Sequence, residues 1–283
     1  MKNYSYHDQI IDYYHQCQID YELIWHLKSH HCMHYGYWES DTKRLRDALF
    51  NINKKVAQLG QIKEGQRLID LGCGVGGPAV YLAKNYNCEV SGISLSLMQI
   101  EQARHLARKE NLNFIDFRVQ DYCNTDFKND EFHIAYAIES SCYAVDKTFF
   151  LEEAKRILKP DGKIIVIDFF WSTDKTNDAD KKIMKKWTDS WSILDFSYER
   201  DFENQLESAG FFNIKKYNCN KQVWPSIRRL FLCFLIGFLC DALLRLVGKR
   251  NKLNSMNMRS AYYQYVTFEK GLWNYNIYCA EKP

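Results

Sequence analysis

Among the 10 cysteines of this 283-residue chain no two make a C-x-x-C pair; they stand singly from Cys17 to Cys279. Neither a zinc ribbon nor a dithiol redox site fits that spacing, and free thiols in a reducing compartment are expected. Charge of one sign is scarce as well, the formal net charge being only +3. No stretch interleaves aromatic with basic residues as an RNA-binding sheet does, so nucleic acid is set aside as a partner. Internal repeats, heptad arrays and low-complexity tracts are lacking. The segment Met1-Lys2-Asn3-Tyr4-Ser5-Tyr6-His7-Asp8 has no apolar core or small-residue cleavage site, which argues against a secretory signal and for the cytoplasm. The uninterrupted apolar run Leu230 to Cys240 is eleven residues long, whereas a spanning helix needs about 20. What the chain does have is 46% apolar residues, ample for one enlarged α/β domain.

The most informative segment is Leu68-Ile69-Asp70-Leu71-Gly72-Cys73-Gly74-Val75-Gly76-Gly77-Pro78. It reads as a buried strand, a glycine-lined turn and the start of a helix. Gly72, Gly74 and Gly76 let the backbone turn sharply and approach a ligand more closely than any Cβ would allow. A phosphate cradle avoids a carboxylate at such a turn, whereas Asp70 can receive a cation, such as the amino-acid end of S-adenosylmethionine. The order of segments is then helix 79–85, strand 88–93, helix 97–110, strand 114–119, strand 132–138, a helix 149–158 stopped by Pro160-Asp161-Gly162, and strand 163–168. Strands 211–217 and 272–280 close the series, the last antiparallel. This predicts an α/β, Rossmann-like, seven-stranded mostly parallel sheet with helices on both faces. Residues 1–60 are expected to form a helical substrate lid, and 61–283 the main domain with an apolar insert over 223–270.

Asp70 to Gly77 resembles motif I of the class I S-adenosylmethionine-dependent methyltransferases. Gly92-Ile93-Ser94-Leu95-Ser96, Ala135 to Ala144 and Cys279 to Pro283 resemble segments of the sterol 24-C-methyltransferases and, more loosely, of tocopherol methyltransferases. The resemblance spans roughly Gly65 to Tyr217 plus the last strand. It implies S-adenosylmethionine as cofactor, S-adenosylhomocysteine as product, and a cofactor set of Asp70, Gly72, Cys73, Gly74 and Gly76. Ser94 stands where that family usually has an acid for the ribose hydroxyls, with Gln99 nearby to help. Asp121 would accept the adenine amine, Tyr122 would pack on the ring, and Ile138 would complete the set. An ordinary loop-capping carboxylate is the other reading of Asp121.

Residues 1–38 hold nine of the 26 Tyr and Trp residues and six of the eight histidines. Asp20 to Trp25 resembles the Tyr-Glu-x-x-Trp portion of sterol methyltransferases, and His34-Tyr35-Gly36-Tyr37-Trp38 a His-x-Gly-aromatic element of that lipid-directed group. If an alkene is the nucleophile, methyl transfer creates a carbocation that ring faces and a carboxylate stabilise. Tyr21, Trp25, Glu22 and Glu139 are placed around it. Simple packing of an N-terminal helix on the sheet is the alternative. Sugar O-methyltransferases of the group have histidine where this chain has Cys142 and Tyr143. Methylation of an alcohol needs a general base, for which Asp168 and His34 are candidates. No metal is assigned to His30-His31-Cys32-Met33-His34, since transfer from a sulfonium needs none.

In the insert, Asp241 and Arg245 are four apart, a spacing that pairs them on a helix. Arg228 and Arg229 flank one end of the apolar run; Arg245, Lys249, Arg250 and Lys252 flank the other. An amphipathic helix over 223–252 is expected to roof a hydrophobic pocket, with peripheral membrane contact the second reading and a spanning helix the third. A dimer interface stays open. Ser172 to Lys186 is expected to be an exposed connection into a further substrate-covering helix, with Trp187 and Trp191 facing inward. The function expected is methyl transfer to a hydrophobic small molecule of sterol, terpenoid or prenylquinone type, at carbon. The alternatives are N- or O-methylation of an amine, sugar or phenolic metabolite, and a non-catalytic module that binds the cofactor or lipid.

Overall fold

The computed structural model describes residues 5–248 and 250–283. The first four residues, and Lys249 among the basic residues flanking the insert, lie outside the described residues. Three helices precede the sheet: α1 (Tyr6–Ile24), α2 (Leu27–His30) and α3 (Leu45–Gly60). A capping box between Ser5 and Asp8 starts α1, each side chain taking the other's backbone N–H. There follow β1 (Arg67–Leu71), α4 (Gly77–Tyr86), β2 (Glu89–Ser94), α5 (Leu97–Lys109), β3 (Ile115–Val119) and β4 (Phe132–Ile138). The second half contains α6 (Lys147–Ile157), β5 (Leu158–Trp171), α7 (Asp178–Ser190), α8 (Glu199–Ser208), β6 (Phe212–Asn218), α9 (Asn220–Leu246), α10 (Lys252–Glu269) and β7 (Trp273–Glu281).

The seven strands lie in the order β3-β2-β1-β4-β5-β7-β6, and β7 runs antiparallel to both its neighbours. This is the predicted Rossmann-like architecture. Helices cover both faces, so Ile164 to Ile167 in β5 are buried on both sides, which explains an unbroken apolar run there. One expected boundary moves. Pro160-Asp161-Gly162 does not separate α6 from the next strand; it sits inside β5 as an irregularity where the register against β4 shifts, with Asp161 at φ 61°.

The insert is two helices, α9 and α10, packed on each other. α1 and α7 both pack against α10, so the N-terminal segment and the insert form one helical layer over the sheet's carboxyl edge. Trp187 is fully buried on α7, as expected. The expected Asp241–Arg245 pair does not form. Asp241 faces inward and is met at 2.6 Å by Arg250, from the connection to α10, while Arg245 stays exposed. Among the described residues no helix is long and apolar enough to cross a membrane.

Candidate active site

The strand order reverses between β1 and β4, the position where ligands of open α/β sheets bind. Gly72 leaves β1 at φ 106°, and a Cβ there would overlap Ser140 at the end of β4. Gly77 lies against the carbonyl of His31 so closely that no side chain fits. The N-terminal segment is thereby seated on the glycine turn, and it delivers Met33 and His34 to the same cavity as Asp70, Cys73 and Gly74. Gly76 is not at the cavity wall: it opens α4 against Ala103 and Phe117.

Asp70 is buried, and burial pushes its carboxyl up to about 8. The Tyr136 hydroxyl beside it lowers it a little, yet neither Asp70 Oδ2 nor that hydroxyl completes a well-directed hydrogen bond. A buried carboxylate oxygen with no partner, facing a glycine cradle, fits the cationic amino-acid end of S-adenosylmethionine.

At the end of β2, Ser94 and Gln99 meet: the serine hydroxyl donates to Gln99 Oε1 at 2.8 Å, and both line the cavity. Gln99 is held by Ser96, whose hydroxyl caps α5. Tyr122 and Ile138 also line the cavity, Tyr122 donating to the Ser140 carbonyl at 2.9 Å. Asp121 does not line it. Its Oδ1 accepts the Cys123 amide at 2.8 Å and its Oδ2 lies 3.5 Å from His7 Nε2, whereas its neighbour Gln120 does reach the cavity.

Glu139 follows β4 directly and has φ 50°, a left-handed conformation rare for a non-glycine residue and common at functional sites. Its amide is tied to the Ile167 carbonyl at 2.7 Å. Glu139 Oε1 accepts from the Tyr35 amide at 2.6 Å and from the Tyr275 hydroxyl at 2.7 Å. Burial nevertheless raises its carboxyl to about 8. His34 is buried, its Nδ1 2.8 Å from the Tyr35 carbonyl, and its Nε2 has no partner. Burial lowers its pKa to about 4, so the ring is neutral. Donation from Nδ1 to that carbonyl leaves Nε2 an open acceptor. Asp168 is occupied elsewhere: it accepts from the Ser141 hydroxyl at 2.6 Å and from the Cys142 and Phe169 amides, fixing the turn Ser141–Tyr143. Burial raises its pKa, and it does not line the cavity.

Beyond Glu139 lies a second, larger cavity of about 260 Å³ between α1, α9 and α10. Tyr21, Trp25 and Tyr35 line it with Trp191, and Tyr14, Met33, Glu139 and Tyr143 belong to both cavities. Glu22 points the other way, into a groove beside α5, where Lys28 pairs with it at 2.8 Å. The acid that α1 does turn toward the inner cavity is Asp20, two residues earlier. It is held by Arg250 at 2.8 and 3.1 Å and by Asn257. Sequence reasoning did not single out Tyr275, Gln264 or Asn257, which bond Glu139, Tyr35 and Tyr13. The only trace of them is polar residues on otherwise buried elements.

A family model described as a methyltransferase domain matches residues 69–166, from β1 into β5. Together with the seven-stranded sheet this match gives a methyltransferase domain on the class I fold, and the cradle at Asp70 to Gly74 fits S-adenosylmethionine as its cofactor. Methyltransferase phqN of Penicillium fellutanum is 36% identical over 49% of this chain and 43% of its own length. The chain thus spans under half of that relative. The chloroplastic tocopherol O-methyltransferase of Arabidopsis thaliana is 26% identical over 97% of this chain and 82% of its own length. The solved geranyl diphosphate C-methyltransferase from Streptomyces coelicolor A3(2), in complex with Mg2+, geranyl-S-thiolodiphosphate and S-adenosyl-L-homocysteine, has the same fold. Its TM-score is 0.79 at 16% identity, covering 100% of both chains.

Proposed function

We propose that the chain methylates carbon in a hydrophobic small molecule, of sterol, terpenoid or prenylquinone type, seated in the inner cavity. The observation that carries this reading is the place of Glu139, at the boundary between the cofactor cavity and a cavity walled by aromatic rings. S-adenosylmethionine supplies an electrophilic methyl on a sulfonium. The glycine turn and Asp70 orient its amino-acid end, with Ser94 and Gln99 toward the ribose and Tyr122 and Ile138 toward the base. As the acceptor's double bond takes up the methyl, positive charge develops on the adjacent carbon. The rings of Tyr21 and Trp25 and the Glu139 carboxylate stabilise it; a C–H bond on a carbon next to the cationic one then breaks, its electron pair forming the new double bond and its proton passing to Glu139. Alignment of donor and acceptor across the boundary at Glu139 supplies much of the rate. A cytoplasmic setting belongs to the same reading, since all ten cysteines are free thiols.

The neutral His34, with Nε2 open at the cofactor cavity, favours a second reading: methylation of a phenolic oxygen with His34 as base. Incubation of the purified chain with methyl-labelled S-adenosylmethionine and fractionated cell extract separates the two. Label in the lipid-soluble pool, located on carbon by mass spectrometry, is expected. A methyl on oxygen promotes the second reading, and label confined to the aqueous pool rejects the hydrophobic acceptor.

A further inference from the structure

α9 has two unlike faces. Inward, Phe231 stacks on Tyr265 at 4.2 Å and Phe234 meets Tyr262, both from α10, and Cys233 and Gly237 line the inner cavity. Outward, Leu232, Leu235, Ile236, Leu239, Leu243 and Leu246 recur at helical spacing and are exposed, Ile236 at 78% and Leu246 at 84%. Six large aliphatic side chains on one stripe are more than scattered surface apolarity, and such a patch marks an interaction site.

Charge identifies what covers it. Between Asn220 and Phe268 the sequence has eight Lys and Arg residues and one acid, Asp241, a net +7 in a chain whose total is +3; the remainder is therefore −4. That single acid is buried against Arg250, so α9 presents no carboxylate to solvent, while Arg228, Arg245 and Lys252 are exposed. A second copy of this chain would set Arg228, Arg245 and Lys252 against further cations. An anionic lipid surface complements both the charge and the leucine stripe.

The inner cavity opens in the same place. Leu23 of α1 and Leu244 of α9 line it and are 64% and 38% exposed, and Cys240 between them is also exposed. We infer that the outer face of α9 docks in the plane of an anionic membrane and that the hydrophobic acceptor enters from the bilayer between Leu23 and Leu244. This rests on the hydrophobic acceptor proposed above. Packing of α9 on α10, with Asp241 bonded to Arg250 and Ser255, holds the helix along the surface rather than across it.

Co-sedimentation of the full chain with phosphatidylcholine vesicles, with and without phosphatidylglycerol, tests the docking in the absence of cofactor and acceptor. Its outcome is therefore independent of the methyl-transfer assay. Binding to the anionic vesicles only, weakened by salt, is expected. Arg228→Gln/Arg245→Gln is expected to weaken it about thirtyfold, at the usual contribution of each surface cation. Ile236→Glu/Leu239→Glu, at positions outside the cavity, is expected to abolish it while S-adenosylhomocysteine affinity is retained as proof of folding. Equal or absent binding to both vesicle types would overturn the proposal. So would a stable dimer in solution that Ile236→Glu/Leu239→Glu converts to monomer, which would assign the face to a second copy.

Discussion

The Tyr275 hydroxyl, from the antiparallel last strand, donates to Glu139 Oε1 at 2.7 Å and so fixes the acid that stands between the two cavities. Glutamine at 139 would keep both the Tyr35 and the Tyr275 hydrogen bonds through its carbonyl but could take no proton. Glu139→Gln is therefore expected to lower turnover by about 10²-fold or more with cofactor affinity little changed. Tyr275→Phe removes a bond that favours the ionised carboxyl. Its signature is a pH–rate midpoint, about 8 in the parent chain, moved to higher pH. An unmoved midpoint would disconnect Tyr275 from the chemistry.

Asp70 and Glu139 both carry raised pKa values, from 3.8 and 4.5 to about 8. In this range the folded chain holds protons that the unfolded chain has released, so unfolding releases protons and stability falls as pH rises. The loss begins near the unfolded values and ends near 8, at up to about 1.4 kcal/mol per pH unit for each group. Thermal melts of the cofactor-free chain across this range should show the decline, and Asp70→Asn should lessen its slope. A bound ammonium favours the Asp70 carboxylate, so cofactor binding at neutral pH should release a proton, seen by calorimetry in buffers of unlike ionisation enthalpy. Binding without proton release would place the ammonium elsewhere.

At the end of β2, where the proposed ribose contact falls, the chain has Ser94 bonded to Gln99 instead of an acid. A carboxylate accepts from hydroxyls through charge-assisted bonds roughly twice as strong as neutral ones. Ser94→Asp is expected to tighten S-adenosylmethionine and S-adenosylhomocysteine binding equally, by about tenfold at 1.4 kcal/mol, and Ser94→Ala to weaken both severalfold. Titration calorimetry with the two ligands checks it, and a change confined to one ligand would put Ser94 near the sulfur instead.

The sheet was legible because each strand is a short apolar run at an α/β interval, and the glycine turn beside Asp70 because these residues are adjacent in sequence. What spacing could not convey was the direction of side chains set by distant packing. Glu22 and Asp20 are two residues apart on α1, and the docking of that helix on α10 decides that Asp20 meets the cavity while Glu22 meets Lys28. Asp168 sits at a strand end as expected, but three hydrogen bonds to the Ser141–Tyr143 turn and its own neighbour engage it. Asp241 had a partner in register, Arg245, and the chain reversal after α9 supplied a better one in Arg250.

The seating of the N-terminal segment on the glycine turn depends on a single missing methyl. A Cβ on Gly77 would overlap the His31 carbonyl, a backbone atom that cannot swing aside as a side chain would. Gly77→Ala is expected to cost about 1–3 kcal/mol, as overpacking does. It should also weaken cofactor binding, because His31 leads into Met33 and His34 at the cavity wall. Gly237→Ala is the matched control: its Cβ would meet only Met258 Sδ at 3.4 Å, within a helix that alanine favours by up to about 1 kcal/mol. Opposite signs in denaturant midpoints, with cofactor affinity lost only in Gly77→Ala, would show that the turn and the N-terminal segment act as one unit. Equal cofactor affinity in both variants would separate them.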